Sequence, residues 1–147
     1  MIGRVIAIDY GMKRCGVAIT DSLRLSANGY PTVETQLLMK WLQDYFKLEQ
    51  VAILIIGHPR HKDGNDTYLV KDIDAFVLKL KTQFPNLIVL KVNEWGTSLQ
   101  ARKIIINSGV SKTKRQDKGL TDKVSAVIML TEFLDSTDFR NLQPDSV

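Results

Sequence analysis

Three carboxylates stand where a fixed backbone could aim them. Asp9 closes the apolar run Arg4–Ile8, Glu94 comes just after the run Leu87–Val92, and Asp122 stands at the head of a helical stretch reaching Leu134. Carboxylate oxygens suit hard divalent cations such as Mg2+ or Mn2+. Two groups of cations could meet a polyanion: Lys13 and Arg14 in the turn after Asp9, and Lys112, Lys114, Arg115 and Lys118 crowded between Gly109 and Leu120. Each of these features also has a plainer reading. An aspartate closing a strand forms turns or caps helices, and a glutamate at a strand end is often solvated. An acid in a helix's first turn is favoured by the helix dipole alone, and most charge runs are solvated loops.

Other chemistry-bearing residues point less far. Cys15 is the single cysteine, so no internal disulfide forms, and with no histidine near it in sequence it reads as a small buried residue. His58 and His61 lie in a polar loop without a third ligand at zinc-like spacing, and read as solvent-exposed or phosphate-facing. The chain has 147 residues, 44% hydrophobic and 24% charged, with a formal charge of +4, which fits one globular domain with one substantial core. No apolar stretch reaches the roughly 20 residues of a membrane span. Met1 to Arg4 leads straight into a strand rather than a signal peptide, so the expected home is the cytoplasm, with no membrane partner.

The elements that must position these residues follow from apolar patterning. Arg4–Ile8 and Cys15–Ile19 flank Asp9-Tyr10-Gly11 as a β-hairpin. Leu25 to Val33, with Pro31, suits an edge strand. From Thr32, the residues Val33, Leu37, Leu38, Trp41, Leu42, Tyr45 and Phe46 recur at helical spacing, with Trp41 and Tyr45 expected to face the core. Val51–Gly57 reads as a strand buried on both faces, and Tyr68, Leu69, Ile73, Phe76, Val77 and Leu80 as a helix capped by Asp66 or Thr67. Leu87–Val92 is the next buried strand, followed by a helix beginning near Leu99 with Thr97 or Ser98 as its cap. A last helix has Thr121 as cap and Asp122 in its first turn, and the tail 136–147 should be frayed. Strands joined through helices pair in parallel by right-handed crossovers, so the expected architecture is α/β: a five-stranded mixed sheet, an antiparallel meander followed by parallel strands, flanked by helices.

Asp9-Tyr10-Gly11-Met12-Lys13-Arg14-Cys15-Gly16-Val17-Ala18, with Asp21 following, resembles the opening motif of the YqgF/RuvX family, and Asp122-Lys123-Val124-Ser125-Ala126 with Leu130 resembles its closing motif. The resemblance covers about residues 2 to 135, and implies a single ribonuclease H-like nuclease domain over 1–135. It also implies maturation of the 5′ end of precursor 16S ribosomal RNA with a divalent metal; an older family label is Holliday-junction resolvase. The middle motif departs from the family. Where the family carries Asp-Glu-Arg, this chain has Asn93-Glu94-Trp95, with Gly96 following and the hydroxyl pair Thr97-Ser98 kept.

On that resemblance, Asp9, Glu94 and Asp122 form one catalytic, metal-holding cluster for Mg2+ or Mn2+ and phosphodiester hydrolysis. Lys13, Arg14, Lys112, Lys114, Arg115 and Lys118 contact nucleic-acid phosphates, of structured RNA first and branched DNA second. Trp95 is either a stacking surface for unpaired bases or a core residue. Two other classes compete. The hairpin is similar to the phosphate loop of actin-like ATPases, which close nucleotide between two such domains where this chain supplies one. The altered middle motif suits an RNA-binding or ribosome-assembly module without catalysis. The oligomeric state does not follow from the sequence.

Overall fold

The computed structural model describes residues 3–58, 67–93 and 118–142, with side chains at 3–57, 69–92 and 123–142. Five strands, β1 (Arg4–Asp9), β2 (Arg14–Thr20), β3 (Ala27–Glu34), β4 (Val51–His58) and β5 (Ile88–Asn93), form one sheet in the order β3-β2-β1-β4-β5. β1, β2 and β3 pair antiparallel, and β4 and β5 join β1 in parallel. The described helices are α1 (Leu38–Leu48), α2 (Thr67–Gln83), α3 (Lys118–Leu134) and α4 (Thr137–Leu142), with a 3-10 turn at Thr35–Leu37. The expected mixed sheet, meander first and parallel strands second, is the one observed.

Alternation along the strands sends side chains to two cores. Ile6, Ile8, Val17, Ile19, Leu54 and Ile56 meet Leu38 and Leu42 of α1 and Ile73, Phe76 and Leu80 of α2. Val5, Ala7, Ala18, Ile53 and Ile55 meet Ala126, Met129, Leu130 and Phe133 of α3. The sheet is thus a middle layer between helices, which is why Val51–Gly57 could be apolar at successive positions.

Four expectations change. Val33 belongs to β3 and not to a helix: the β2–β3 register shifts between Cys15 and Val17, opposite Pro31 and Thr32, and the strand resumes beyond this bulge. The helix therefore starts at Leu38, while Trp41 and Tyr45, half-buried and stacked on one another at 5.3 Å, pack against the core as expected. β5 is an edge strand with Val89 buried but Lys91 exposed, so it is only partly covered. α3 begins at Lys118, which removes Thr121 as cap and puts Asp122 past the first turn.

The tail is not frayed from 136. Ser136 Oγ donates to the Phe133 carbonyl at 2.6 Å and accepts from the Phe139 amide at 3.2 Å, capping α4. Phe139 is buried against Phe133, with ring centroids 5.4 Å apart. One aromatic anchor and one cap suffice for a helix too short to show an apolar period. The proposed caps Asp66, Thr97 and Ser98 and the helix from Leu99 lie outside the described residues, as does His61.

Candidate active site

The site is built outward from the end of β1. Val5, Ala7 and Asp9 alternate onto the face of the sheet that α3 covers, while Ile6, Ile8 and Tyr10 point to the other. Asp9 is only 8% exposed, so its carboxylate is nearly removed from bulk water. Its registered neighbours on either side are glycines, Gly16 on β2 and Gly57 on β4. Neither register partner therefore carries a side chain level with the carboxylate. The strand is pinned at this point: the Tyr10 amide donates to the Gly57 carbonyl at 3.3 Å.

Because β1, β4 and β5 run in parallel, their carboxyl ends share one edge. His58 closes β4 in register with Asn93, which closes β5. The residue after Asn93 is Glu94, which lies outside the described residues, as do Trp95, Lys112, Lys114 and Arg115. Ligands collect at such an edge in open sheets containing parallel strands.

α3 approaches on the Asp9 side. Its buried stripe runs Ala126, Met129, Leu130 and Phe133, and the same helical repeat, carried back, passes Ser125 and reaches position 122. The backbone of Asp122 thus belongs to the helix packed on Asp9's face; its side chain is outside those described. The approach is close, because a Cβ on Gly29 would sit 2.7 Å from Lys123 Cε and 3.2 Å from Val127 Cγ2. Lys118, expected in the preceding loop, is instead the first residue of α3.

Ser125 was not foreseen. Its hydroxyl is fully buried and hydrogen-bonds to nothing among the described residues. The one signal in the sequence is a polar residue interrupting an apolar stripe.

The hairpin turn brings Lys13 and Arg14 to the same edge, since β2 starts where β1 ends. Lys13 is exposed and Arg14 half-buried. Gly11 is obligatory: a Cβ there would collide with the Arg14 carbonyl oxygen. Tyr10 serves the other core, packed on Phe76 at 5.7 Å. Burial first, then the negative potential of Cys15 and Asp72, pushes its phenol up to about 12. It therefore stays protonated at neutral pH and is no general base.

The donor chemistry at this edge fits a hard divalent cation: a buried carboxylate whose register partners on both adjoining strands are glycines. Among the described residues no three His, Cys, Asp or Glu side chains gather to hold a metal. No described helix is long and apolar enough to cross a membrane.

The family model described as "RuvX: Holliday junction resolvase" matches residues 3–136. A protein of Flavobacterium johnsoniae is 40% identical, covering 92% of this chain and 99% of its own length. One of Parabacteroides distasonis is 41% identical over 95% and 99%, and one of Porphyromonas gingivalis 41% identical over 93% and 99%. All three carry the name "Putative pre-16S rRNA nuclease". A solved structure of T. thermophilus RuvC with a Holliday junction substrate superposes with a TM-score of 0.57 at 15% identity, covering 90% of this chain and 93% of that one. That likeness establishes the ribonuclease H-like fold.

Proposed function

The chain belongs to the RuvX family, and from that premise we propose that it is a cytoplasmic, metal-dependent nuclease that hydrolyses phosphodiester bonds at the 5′ end of precursor 16S ribosomal RNA. The observation that carries this reading is the placement of Asp9: buried, flanked by Gly16 and Gly57, on the face α3 covers and at the edge where three parallel strands end. The ribosomal RNA substrate is supported by the names of the relatives.

In this reading Asp9, Glu94 and Asp122 hold Mg2+ or Mn2+. Such an ion, when bound, supplies an activated water and neutralises charge on the leaving oxygen. The chain's own contributions are distinct. Asp9 delivers a carboxylate from a rigid strand end, so its position is held by the sheet and not by a loop. Lys13 and Arg14, on the adjoining turn, hold phosphate oxygens beside it, and Lys112, Lys114, Arg115 and Lys118 extend that positive surface along the backbone of the nucleic acid. Trp95, where the family carries arginine, offers a stacking face to unpaired bases, an interaction of roughly 1–3 kcal/mol per base. Residues 1–135 make up the catalytic domain.

The test is cleavage of a 5′-extended precursor 16S RNA, a single strand and a four-way DNA junction, each with Mg2+, Mn2+ or excess chelator. Metal-dependent cutting of the precursor is expected. Cutting in excess chelator would overturn the metal assignment. Cutting of the junction alone would move the substrate to branched DNA, the reading favoured by the family model's description. Binding without cutting on every substrate would favour a non-catalytic module, for which the altered Asn93-Glu94-Trp95-Gly96 stretch is the motive.

A further inference from the structure

Beyond Tyr10, the turn that carries Lys13 is held, among the described residues, by Thr35. Thr35, the first residue of the 3-10 turn after β3, reaches two carbonyls of the β1–β2 turn: its Oγ1 donates to the Gly11 carbonyl at 2.7 Å, and its backbone amide donates to the Lys13 carbonyl at 3.0 Å. Its hydroxyl has one proton, which goes to Gly11, so at 3.4 Å the Cys15 thiol is the donor to Thr35 Oγ1. The result is a directed chain from the Cys15 thiol through Thr35 to Gly11. The turn has little internal means of holding its shape, because Gly11 has no side chain, Met12 is 75% exposed and Lys13 is exposed. At Gly11 the turn is so tight that even a Cβ is excluded.

We propose that Thr35 is a positioning residue for nucleic-acid binding: it fixes the Tyr10–Lys13 turn so that the Lys13 ammonium stays at the edge occupied by Asp9. This rests on the nuclease reading for what Lys13 contacts. The clamp's hydrogen bonds go to the Gly11 and Lys13 carbonyls, whereas Asp9 is paired with Gly16 on β2 and Gly57 on β4. Loss of the hydroxyl therefore acts on substrate binding, leaving turnover of bound substrate near the parent value.

The test compares Thr35→Val, Thr35→Ser, Lys13→Ala and the double variant Thr35→Val/Lys13→Ala in steady-state cleavage of the same metal-loaded substrate. Thr35→Val leaves the Gly11 carbonyl without its partner and should raise KM by about tenfold with little change in kcat. Thr35→Ser keeps the hydroxyl and should restore the parent KM. Because both changes act through one ammonium, the double variant should be no worse than Lys13→Ala alone. Additive losses, an equal loss with serine, or a fall in kcat with KM unchanged would overturn the inference. If Thr35→Val fails to fold, Thr35→Ala, which keeps the amide bond to Lys13, takes its place with the same expected pattern. A parent protein that neither binds nor cuts nucleic acid would fail the nuclease reading itself; a parent that cuts, with additive variants, would fail the clamp alone.

Discussion

On the face covered by α1 and α2, strands β1 and β4 present Ile6, Ile8, Leu54 and Ile56; on the face covered by α3 the same strands present Val5, Ala7, Asp9, Ile53 and Ile55, with Ala18 beside them. The first face is filled by large side chains from both layers, Leu38, Leu42, Ile73, Phe76 and Leu80 among them. The second meets α3 through Ala126 and Ser125 as well as Met129 and Leu130, and Gly29 admits Lys123 and Val127 at close range. Burial of apolar surface contributes about 25 cal/mol per Å2, so the first face contributes more to stability per residue. Small residues do something else: they let a helix backbone approach a sheet. The second face gives up burial for closeness, and the element brought close is the one that carries Asp122. The larger apolar side chains lie on one side of the sheet, and on the nuclease reading proposed above the chemistry belongs to the other.

The largest effect separating the two faces should come from Asp9→Asn. It removes a charge at nearly constant shape, and cleavage should fall by roughly 100- to 1000-fold or more, while metal-free binding of nucleic acid, read by fluorescence anisotropy, should be unchanged or tighter. Full retention of metal-dependent cleavage would erase the distinction.

On the opposite face, Ile56→Ala should cost about 2–5 kcal/mol of stability in a urea titration, from lost burial and the cavity it leaves. Its kcat, measured below the unfolding transition, should match the parent's. A loss of kcat on that scale would mean that the faces are not separable.

Overpacking the close contact provides the intermediate case. Ala126→Leu should destabilise by about 1–3 kcal/mol and also lower kcat, because α3 must lift from the sheet. Destabilisation with kcat intact would show that helix proximity is not what the chemistry needs.

The smallest effect is in the response to alkali. Tyr10 and Tyr45 both have phenols pushed up to about 12, in each case first by burial. A folded pKa raised above the unfolded value of 10.0 means that the native state keeps protons the unfolded state loses. Their stabilising contribution is therefore complete below pH 10 and is lost as pH rises towards 12. Melting temperatures followed from pH 9 to 11 should fall less steeply for Tyr10→Phe than for the parent, and equal slopes would contradict this.

The first face was also the easier to read in advance. Its strands are continuous apolar runs and α2 repeats cleanly at Leu69, Ile73, Phe76 and Leu80, so periodicity alone located them. Asp9 was legible as the acid ending an apolar run, and Pro31 as the mark of an edge strand. What periodicity could not show is tertiary. Val33 fits a helical repeat and a strand equally well, and the bulge decides in favour of the strand. The extra turn of α3 before Thr121 contains Gly119, which argues against a helix by propensity, and propensity is a weak prior. α4 depends on the single burial of Phe139. The glycines at 16 and 57 were visible as residues, but their standing on both sides of Asp9 follows only from strand order and register. Thr35 lay inside a stretch read as helix, which hid a side chain bound to a turn far from it in sequence.

The central claim is that Asp9 at the end of β1 and Asp122 on α3 serve one metal site. The most direct measurement is Mn2+ binding, followed by the electron paramagnetic resonance signal of free ion, for the parent, Asp9→Asn, Asp122→Asn and the double variant. One shared site predicts that each single change weakens Mn2+ binding by about tenfold or more and that the second change adds less than the first. Asp122→Asn protein that binds Mn2+ as tightly as the parent, while Asp9→Asn does not, would contradict the claim.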